Sequence, residues 1–174
     1  MSNSNNSPLL RRRILVVAAA WTAPVVVVAT AAPDFAASGN QIPDIMPKVS
    51  SSATQLVRGS VAQIVYKVSN VGTAMTDGTP ITLTVYKPAA VSGVTLTPVS
   101  IPAGWTLTAQ DSATFTYQYV GVMVGGKSFD LVFNATVAGN APNGVVMFRG
   151  MTLAGSGGKT NLTNNNSQMT LNVV

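Results

Sequence analysis

The sequence predicts an all-β fold, an Ig-like antiparallel β-sandwich of about seven strands, preceded by a hydrophobic N-terminal segment. Apolar and polar residues alternate in short runs over most of the chain, and a period of two is the pattern of a half-buried strand. Gly, Asn and Pro separate these runs at a spacing of about ten residues, which is typical of a sandwich. No run after residue 38 has helical periodicity of useful length.

The composition restricts the chemistry open to this chain. Its 174 residues fit one domain with a short appendage. It contains no His and no Cys, and its five acidic residues are all Asp. Disulfides, zinc fingers, thiol nucleophiles and Ser–His relays are therefore excluded. With 47% apolar and 9% charged residues, the chain is too hydrophobic to be disordered. We expect no enzyme activity and no cofactor.

The N-terminus has the pattern of an export signal. Arg11, Arg12 and Arg13 precede an uncharged run over residues 14–33. A basic region followed by an apolar region and small residues is the pattern of a secretory signal peptide. Ala29 and Ala31 flank Thr30 in an A-x-A cleavage pattern, so we predict a signal peptide over residues 1–37, cleaved near Ala31, with a second candidate bond after Ala36.

Two alternatives remain for this segment. The arginines before the apolar run also resemble the twin-arginine export signal, so export through either the Sec or the twin-arginine route is consistent with the sequence. The run is almost long enough to span a bilayer, and an uncleaved anchor is the second alternative. Pro24 and the small residues at its end favour a cleavable signal. The membrane would then be a partner only through this segment, during export or as an anchor.

The remaining chain divides into a linker and the sandwich. Residues 38–53 are rich in Ser and Pro, which indicates a linker or an edge strand, because Pro cannot donate a ladder hydrogen bond. The sandwich is predicted over residues 54–174, with an eight-stranded jelly roll as the alternative architecture. The predicted strands, in order, cover residues 60–70, 81–87, 93–99, 113–120, 128–137, 144–153 and 167–173.

Turn residues at two places resemble a known family. Asn70 and Gly72 end the first long strand, and Asn161, Asn164 and Asn165 lie in the hairpin before the last strand. In this order the chain is similar to Ig-like conserved repeats of bacterial surface proteins, among them the CARDB family, named for cell adhesion. The resemblance implies an Ig-like fold and an adhesion or interaction role. The asparagines are expected to occupy left-handed turn positions.

The resemblance has one departure that concerns metal binding. Where an acidic residue is expected before the closing hairpin, this chain has Lys159, so a calcium site is not carried over and we predict no metal site. The N-terminal segment resembles those of exported proteins of high-GC Gram-positive bacteria.

Two aromatic residues are candidates for ligand contact. Tyr86 lies on the polar face of its predicted strand, and Trp105 lies in a segment between predicted strands. Either ring could stack on a sugar or a protein, although a lone Trp in a small sandwich more often packs into the core.

The expected function is a secreted or cell-surface module for structure, adhesion or interaction. The cations after residue 37 are scattered singly, which disfavours a nucleic-acid partner. The partner would be a protein or glycan of the cell envelope, and a small carbohydrate-binding module is the alternative. A glycosidase would require two of the separated aspartates to converge.

Overall fold

The chain forms nine strands within residues 42–159 and 161–174, which the computed structural model describes. Arg11, Arg12, Arg13, Ala29 and Ala31 lie outside these residues. The strands are β1 (Ile45–Ser51), β2 (Val61–Asn70), β3 (Ile81–Tyr86), β4 (Val94–Ser100), β5 (Trp105–Gln110), β6 (Thr114–Tyr119), β7 (Ser128–Val137), β8 (Gly144–Thr152) and β9 (Asn166–Val173). Two short 3-10 turns cover Ala90–Ser92 and Ser156–Gly158. Within the described part of the chain, no helix has the length and apolarity needed to cross a membrane.

The strands pair into two antiparallel sheets, in the orders β1-β2-β7-β4 and β5-β6-β3-β8-β9. Their inner faces form a single apolar core, which confirms the prediction of an all-β, Ig-like sandwich. The sequence-based count of about seven strands was too low by two. It left β1 open as a linker or an edge strand, and it treated β5 as part of a loop.

The sequence did not predict β5, because only its first residue, Trp105, is buried. The other residues of β5 are exposed at the sheet edge, where backbone pairing with β6 holds them. Without an inward-facing set of side chains, a strand has no alternating hydrophobic pattern to detect. β1 was ambiguous for a related reason, since Pro47 lies within it at the edge of the other sheet.

The predicted inward faces are those that the core uses. Ile64, Tyr66 and Val68 of β2 are fully buried. The ring of Tyr66 meets Phe133 of β7 edge-on, with 5.3 Å between centroids. Its hydroxyl is buried without a hydrogen-bond partner, and this burial raises the pKa of Tyr66. Period-two alternation therefore predicted side-chain placement in the central strands.

The two ends of the sandwich carry different loops. We call the end at which the described chain begins the proximal end; its loops are 42–44, 71–80, 101–104, 120–127, and 153–159 with 161–165. The opposite, distal end carries loops 52–60, 87–93, 111–113 and 138–143. The antiparallel registers place these two sets of loops at opposite ends of the strands.

Asn70 joins three segments at the proximal end. Its side chain is fully buried. Its Oδ1 accepts hydrogen bonds from the amides of Asp44 (3.0 Å) and Gly72 (3.1 Å). Its Nδ2 donates to the carbonyl oxygens of Ala74 and Met123, both at 2.8 Å. All four of these hydrogen bonds are to backbone groups. They tie the segment before β1 to the loops after β2 and β6.

Gly72 is required beside Asn70 for a steric reason. A Cβ at this position would collide with the carbonyl oxygen of Ile42 and the amide nitrogen of Asp44. The turn after β2 can therefore approach the segment before β1 only if residue 72 has no side chain.

Replacing Asn70 with Ala should destabilise the fold by about 3 kcal/mol or more, since each buried backbone group left without a partner costs roughly 1–3 kcal/mol. Urea unfolding followed by tryptophan fluorescence measures the change. Asn140→Ala, at an exposed turn, is the matched control and should shift the free energy of unfolding by less than about 0.5 kcal/mol. Equal stability of the two variants would contradict the role assigned to the Asn70 carboxamide.

Candidate functional site

A concave groove lies at the distal end of the sandwich. It encloses about 470 Å³ between the loop after β3 and the outer face of β8. Apolar side chains make up much of its wall, and Val91, Val145 and Met147 are at least half exposed there. Such a mixture of open apolar surface and a few polar groups is usual for a binding site.

Tyr86 and Arg149 meet in this groove because β3 and β8 are paired with these residues opposite each other. The Arg149 guanidinium carbon lies 4.7 Å from the centroid of the Tyr86 ring, a distance suited to a cation–π interaction. Its Nε donates to Oδ1 of Asn166 at 2.9 Å, which fixes the guanidinium over the ring. Tyr86 is partly exposed, as predicted for the polar face of its strand, but Arg149 covers one face of its ring.

Arg149 gives the groove a positive charge, and the groove's lining contains no Asp. Lys87 also lines the groove, but its ammonium lies 4.1 Å from the Phe115 centroid and donates to the Asp111 carbonyl oxygen. Neither Phe115 nor Asp111 lines the groove. An anionic group on an otherwise apolar ligand would complement this lining.

Trp105 is not part of this groove. It is 6% exposed and packs at the proximal end against Tyr119 and Phe129, with ring centroids 5.7 and 6.2 Å away. Its Nε1 is buried without a hydrogen-bond partner. The structure therefore places Trp105 in the core and leaves Tyr86 as the candidate for ligand contact.

The asparagine-rich hairpin binds Asp44, 117 residues before Asn161 in the chain. Asn161 Nδ2 donates to Asp44 Oδ2 at 3.0 Å. Asn164 Nδ2 lies 3.1 and 3.0 Å from the two Asp44 carboxylate oxygens. Asn165 contributes its backbone oxygen, which accepts from the Thr152 amide at 2.8 Å. These contacts close the hairpin onto the segment before β1.

The expected left-handed conformation of these asparagines is wrong. Within the described residues, positive φ angles occur only at glycines, among them Gly155, Gly157 and Gly158 before the hairpin. The glycines provide the tight turn, which leaves the carboxamides of Asn161 and Asn164 free to bind Asp44.

Lys159 brings a positive charge to the same carboxylate. Its side chain is fully buried, and its Nζ lies 3.7 Å from Asp44 Oδ1. The ammonium also donates to Asn164 Oδ1 at 3.3 Å and to the Ile45 carbonyl oxygen. Burial lowers the pKa of Lys159, and the nearby Asp44 carboxylate opposes this shift. Among the described residues, no group of three or more His, Cys, Asp or Glu side chains could hold a metal ion.

Sequence reasoning missed most of this cluster and most of the groove. It singled out Tyr86 and the asparagines by residue type, but it counted Arg149 only among the singly scattered cations and assigned no role to Asp44. Arg149 and Tyr86 are 63 positions apart in the chain, and only the register of β3 and β8 brings them together. No local pattern could have paired them.

The buried Lys159 should make stability depend on pH. Between its lowered folded-state pKa and the ordinary value of 10.5, the unfolded chain binds more protons, so the free energy of unfolding rises with pH. The wild type should therefore gain stability relative to Lys159→Met as the pH rises towards 10.5. Urea unfolding at a series of pH values measures this difference.

Lys48→Met removes an exposed lysine and is the control for the loss of one charge. Its pH profile should run parallel to that of the wild type. If Lys159→Met also runs parallel to the wild type, the ammonium is not desolvated as described.

Comparisons with known proteins relate the chain to others by fold. No protein-family model matches it, and no curated protein matches it. A CARDB domain from Pyrococcus furiosus, solved in complex with di-metal ions, is 14% identical with a TM-score of 0.51, over 77% of this chain and 90% of that domain. A cohesin module of a Clostridium perfringens family 33 glycoside hydrolase is 8% identical with a TM-score of 0.50, over 75% and 98%. The CARDB-like, Ig-like fold expected from the sequence is thus confirmed.

Proposed function

We propose that this chain is an exported, non-catalytic interaction module that binds a protein of a Gram-positive cell envelope through the distal groove. The observation that carries the proposal is the groove itself, in which Arg149 borders the exposed apolar side chains of Val91, Val145 and Met147. These groups lie on a paired sheet and its adjoining loops, so they form a preorganised surface. The partner segment would be apolar with at least one acidic residue.

The states of the aspartates support a role without catalysis. Asp77 accepts a hydrogen bond from the Thr79 amide, and Asp111 accepts hydrogen bonds from the amides of Ala113 and Thr114. These bonds lower the pKa of both carboxyl groups. A carboxyl group held ionised in this way caps its turn and is poorly suited to donate a proton as a general acid.

A carbohydrate-binding module is the second candidate, and Tyr86 favours it because an aromatic ring in an open groove can stack on a sugar. The position of Arg149 over the ring restricts such stacking to the other face. The apolar and cationic lining supports a protein partner more directly than a neutral glycan.

Export is proposed from the N-terminal sequence. Arg11, Arg12 and Arg13 followed by the apolar run over residues 14–33 support passage across a membrane. The described sandwich has a core without Cys, so it needs no oxidative step after export.

Export should yield a shortened protein. The intact mass of the native protein, taken separately from culture medium, cell surface and membrane fractions, should show cleavage near Ala31 or Ala36. A full-length species in the membrane fraction would instead identify residues 14–33 as an anchor. A full-length species confined to the cytoplasm would contradict export by either route.

Groove binding predicts that Arg149→Gln and Met147→Asp lose the partner while keeping the fold. A photo-crosslinking residue at Val91, the most exposed of the groove's apolar positions, reports the contact in intact cells. We expect one crosslinked envelope protein with the wild type and a loss of at least about tenfold in each variant, since buried contact groups are worth more than about 1 kcal/mol. Leu107→Asp, at an exposed position of β5, should crosslink as the wild type does.

The carbohydrate alternative makes a separate prediction. Sedimentation with purified cell-wall glycan should retain the wild type and release Tyr86→Ala if the ring stacks on sugar. If all variants crosslink equally and the wild type is not retained on glycan, the proposed binding role of the groove is contradicted.

A further inference from the structure

The proximal end exposes aliphatic side chains on three adjoining segments. We call Ile42, Val71, Met75, Val120, Val122 and Val124 the apolar rim. These six are among the sixteen large hydrophobic residues that are exposed in the described chain, and Val120 and Met75 are 69% and 62% exposed. An apolar surface grouped in this way indicates an interaction site, whereas single exposed residues do not.

The rim is held outward by a fixed backbone. The Thr76 amide donates to the Met123 carbonyl oxygen at 3.1 Å, and the Met123 amide donates to Thr76 Oγ1 at 2.8 Å. The Met123 side chain is buried, at 1% exposure. Since its neighbours Val122 and Val124 are about half exposed, the loop alternates like a strand and presents both valines to solvent.

Two of the three rim segments are uncharged. Residues 69–76 and 119–126 contain no Asp, Glu, Lys or Arg, and Asp77 and Lys127 follow them directly. In the third segment, the Asp44 carboxylate is paired with Lys159 and with the carboxamides of Asn161 and Asn164. Transferring the exposed side chains of the two uncharged loops out of water would therefore gain hydrophobic free energy without removing a charge from solvent.

The shape of the rim suits a deformable occupant. The rim consists of loop tips, whereas three grooves of the sandwich are lined by residues of the distal loops and neighbouring strand positions. Exposed aliphatic side chains at loop tips can enter the interfacial region of a bilayer, which deforms around them.

The chain itself leads from the rim towards a membrane segment. Ile42, a rim residue, is the first described residue, and the apolar run ends at Pro33. The eight residues 34–41 between them can span at most roughly 30 Å when extended. If a bilayer holds the apolar run, or if the run has just crossed it, this chain length allows the proximal end to lie within roughly 30 Å of that bilayer.

We propose that the apolar rim is a lipid-binding surface that inserts into the interfacial region of the bilayer. This inference rests on the proposed export of the chain for its biological setting. It adds a membrane contact beyond the N-terminal segment, which sequence analysis had treated as the sole one. The distal groove would then face away from the bilayer.

The test uses residues 38–174, which contain every residue of the apolar core, from Ile45 to Val173, and lack the apolar run. Vesicles of phosphatidylcholine, alone or mixed with phosphatidylglycerol, are sedimented with the protein. The rim variant is Val122→Asp with Val124→Asp, and the matched control is Val57→Asp with Val61→Asp, two exposed valines of the distal end that lie outside the groove. The wild type and the control should bind both vesicle types, and the rim variant should lose at least about tenfold in partition.

A second readout does not depend on the charged variants. Val122→Trp should show a blue-shifted fluorescence maximum when vesicles are added, relative to the same addition to wild-type protein, because the indole enters an apolar environment. Val61→Trp, at an exposed position of the distal end, should show no shift. A rim variant that keeps its vesicle binding, and binds only when phosphatidylglycerol is present, would show that lysines adsorb to anionic lipid. That result would overturn the proposal.

The outcomes separate this inference from the export proposal. A protein that is cleaved and exported but whose residues 38–174 bind no vesicle would keep the proposed function and refute the lipid surface. Vesicle binding by a chain that stays in the cytoplasm would refute export and retain the rim. Crosslinking from position 122 to an envelope protein, without vesicle binding, would replace the lipid by a protein partner.

Discussion

The buried carboxamide of Asn70 is the interaction on which the proximal end depends. Backbone groups in loops cannot pair with a neighbouring strand, and burying them without partners is costly. The Asn70 side chain provides hydrogen-bond partners for such groups in three segments, since its two polar atoms bind four backbone groups from residues 44, 72, 74 and 123. Because these segments are then fixed, Met123 can be buried between two exposed valines, and the apolar rim keeps its shape.

The proximal end also contains the one buried ionic cluster of the described residues. Asp44 receives Asn161 and Asn164 through its carboxylate and the buried Lys159 ammonium at 3.7 Å. Removing two charges from water is unfavourable unless hydrogen bonds and mutual attraction offset the cost. Here the carboxamides and the Ile45 carbonyl oxygen provide those bonds. The cluster fixes the hairpin before β9 to the segment before β1, and thus the beginning of the sandwich to its end.

The two ends therefore have different physical properties that suit different partners. The proximal end has two uncharged loops, residues 69–76 and 119–126, whose exposed valines can lose water at low cost. The distal end has a concave apolar surface with one cation, Arg149, whose position is fixed against the Tyr86 ring. A module with one end for lipid and the other for an acidic, apolar partner would need no catalytic group.

The sequence by itself determined the class of fold and the inward faces of its central strands, because alternation with period two reports directly on which side chains are buried. It also excluded thiol, histidine and disulfide chemistry, since those residues are missing, and it predicted a turn at Asn70 and Gly72. Tertiary structure decided what those residues touch. The pairing of Tyr86 with Arg149 follows from the register of β3 and β8, and the pairing of Asp44 with Lys159 follows from the meeting of the first and last parts of the sandwich. β5 was also left to tertiary structure, because it is held by backbone bonds and buries only Trp105. Local patterns record burial, whereas contacts between distant residues depend on strand order and register, which no short stretch of sequence contains.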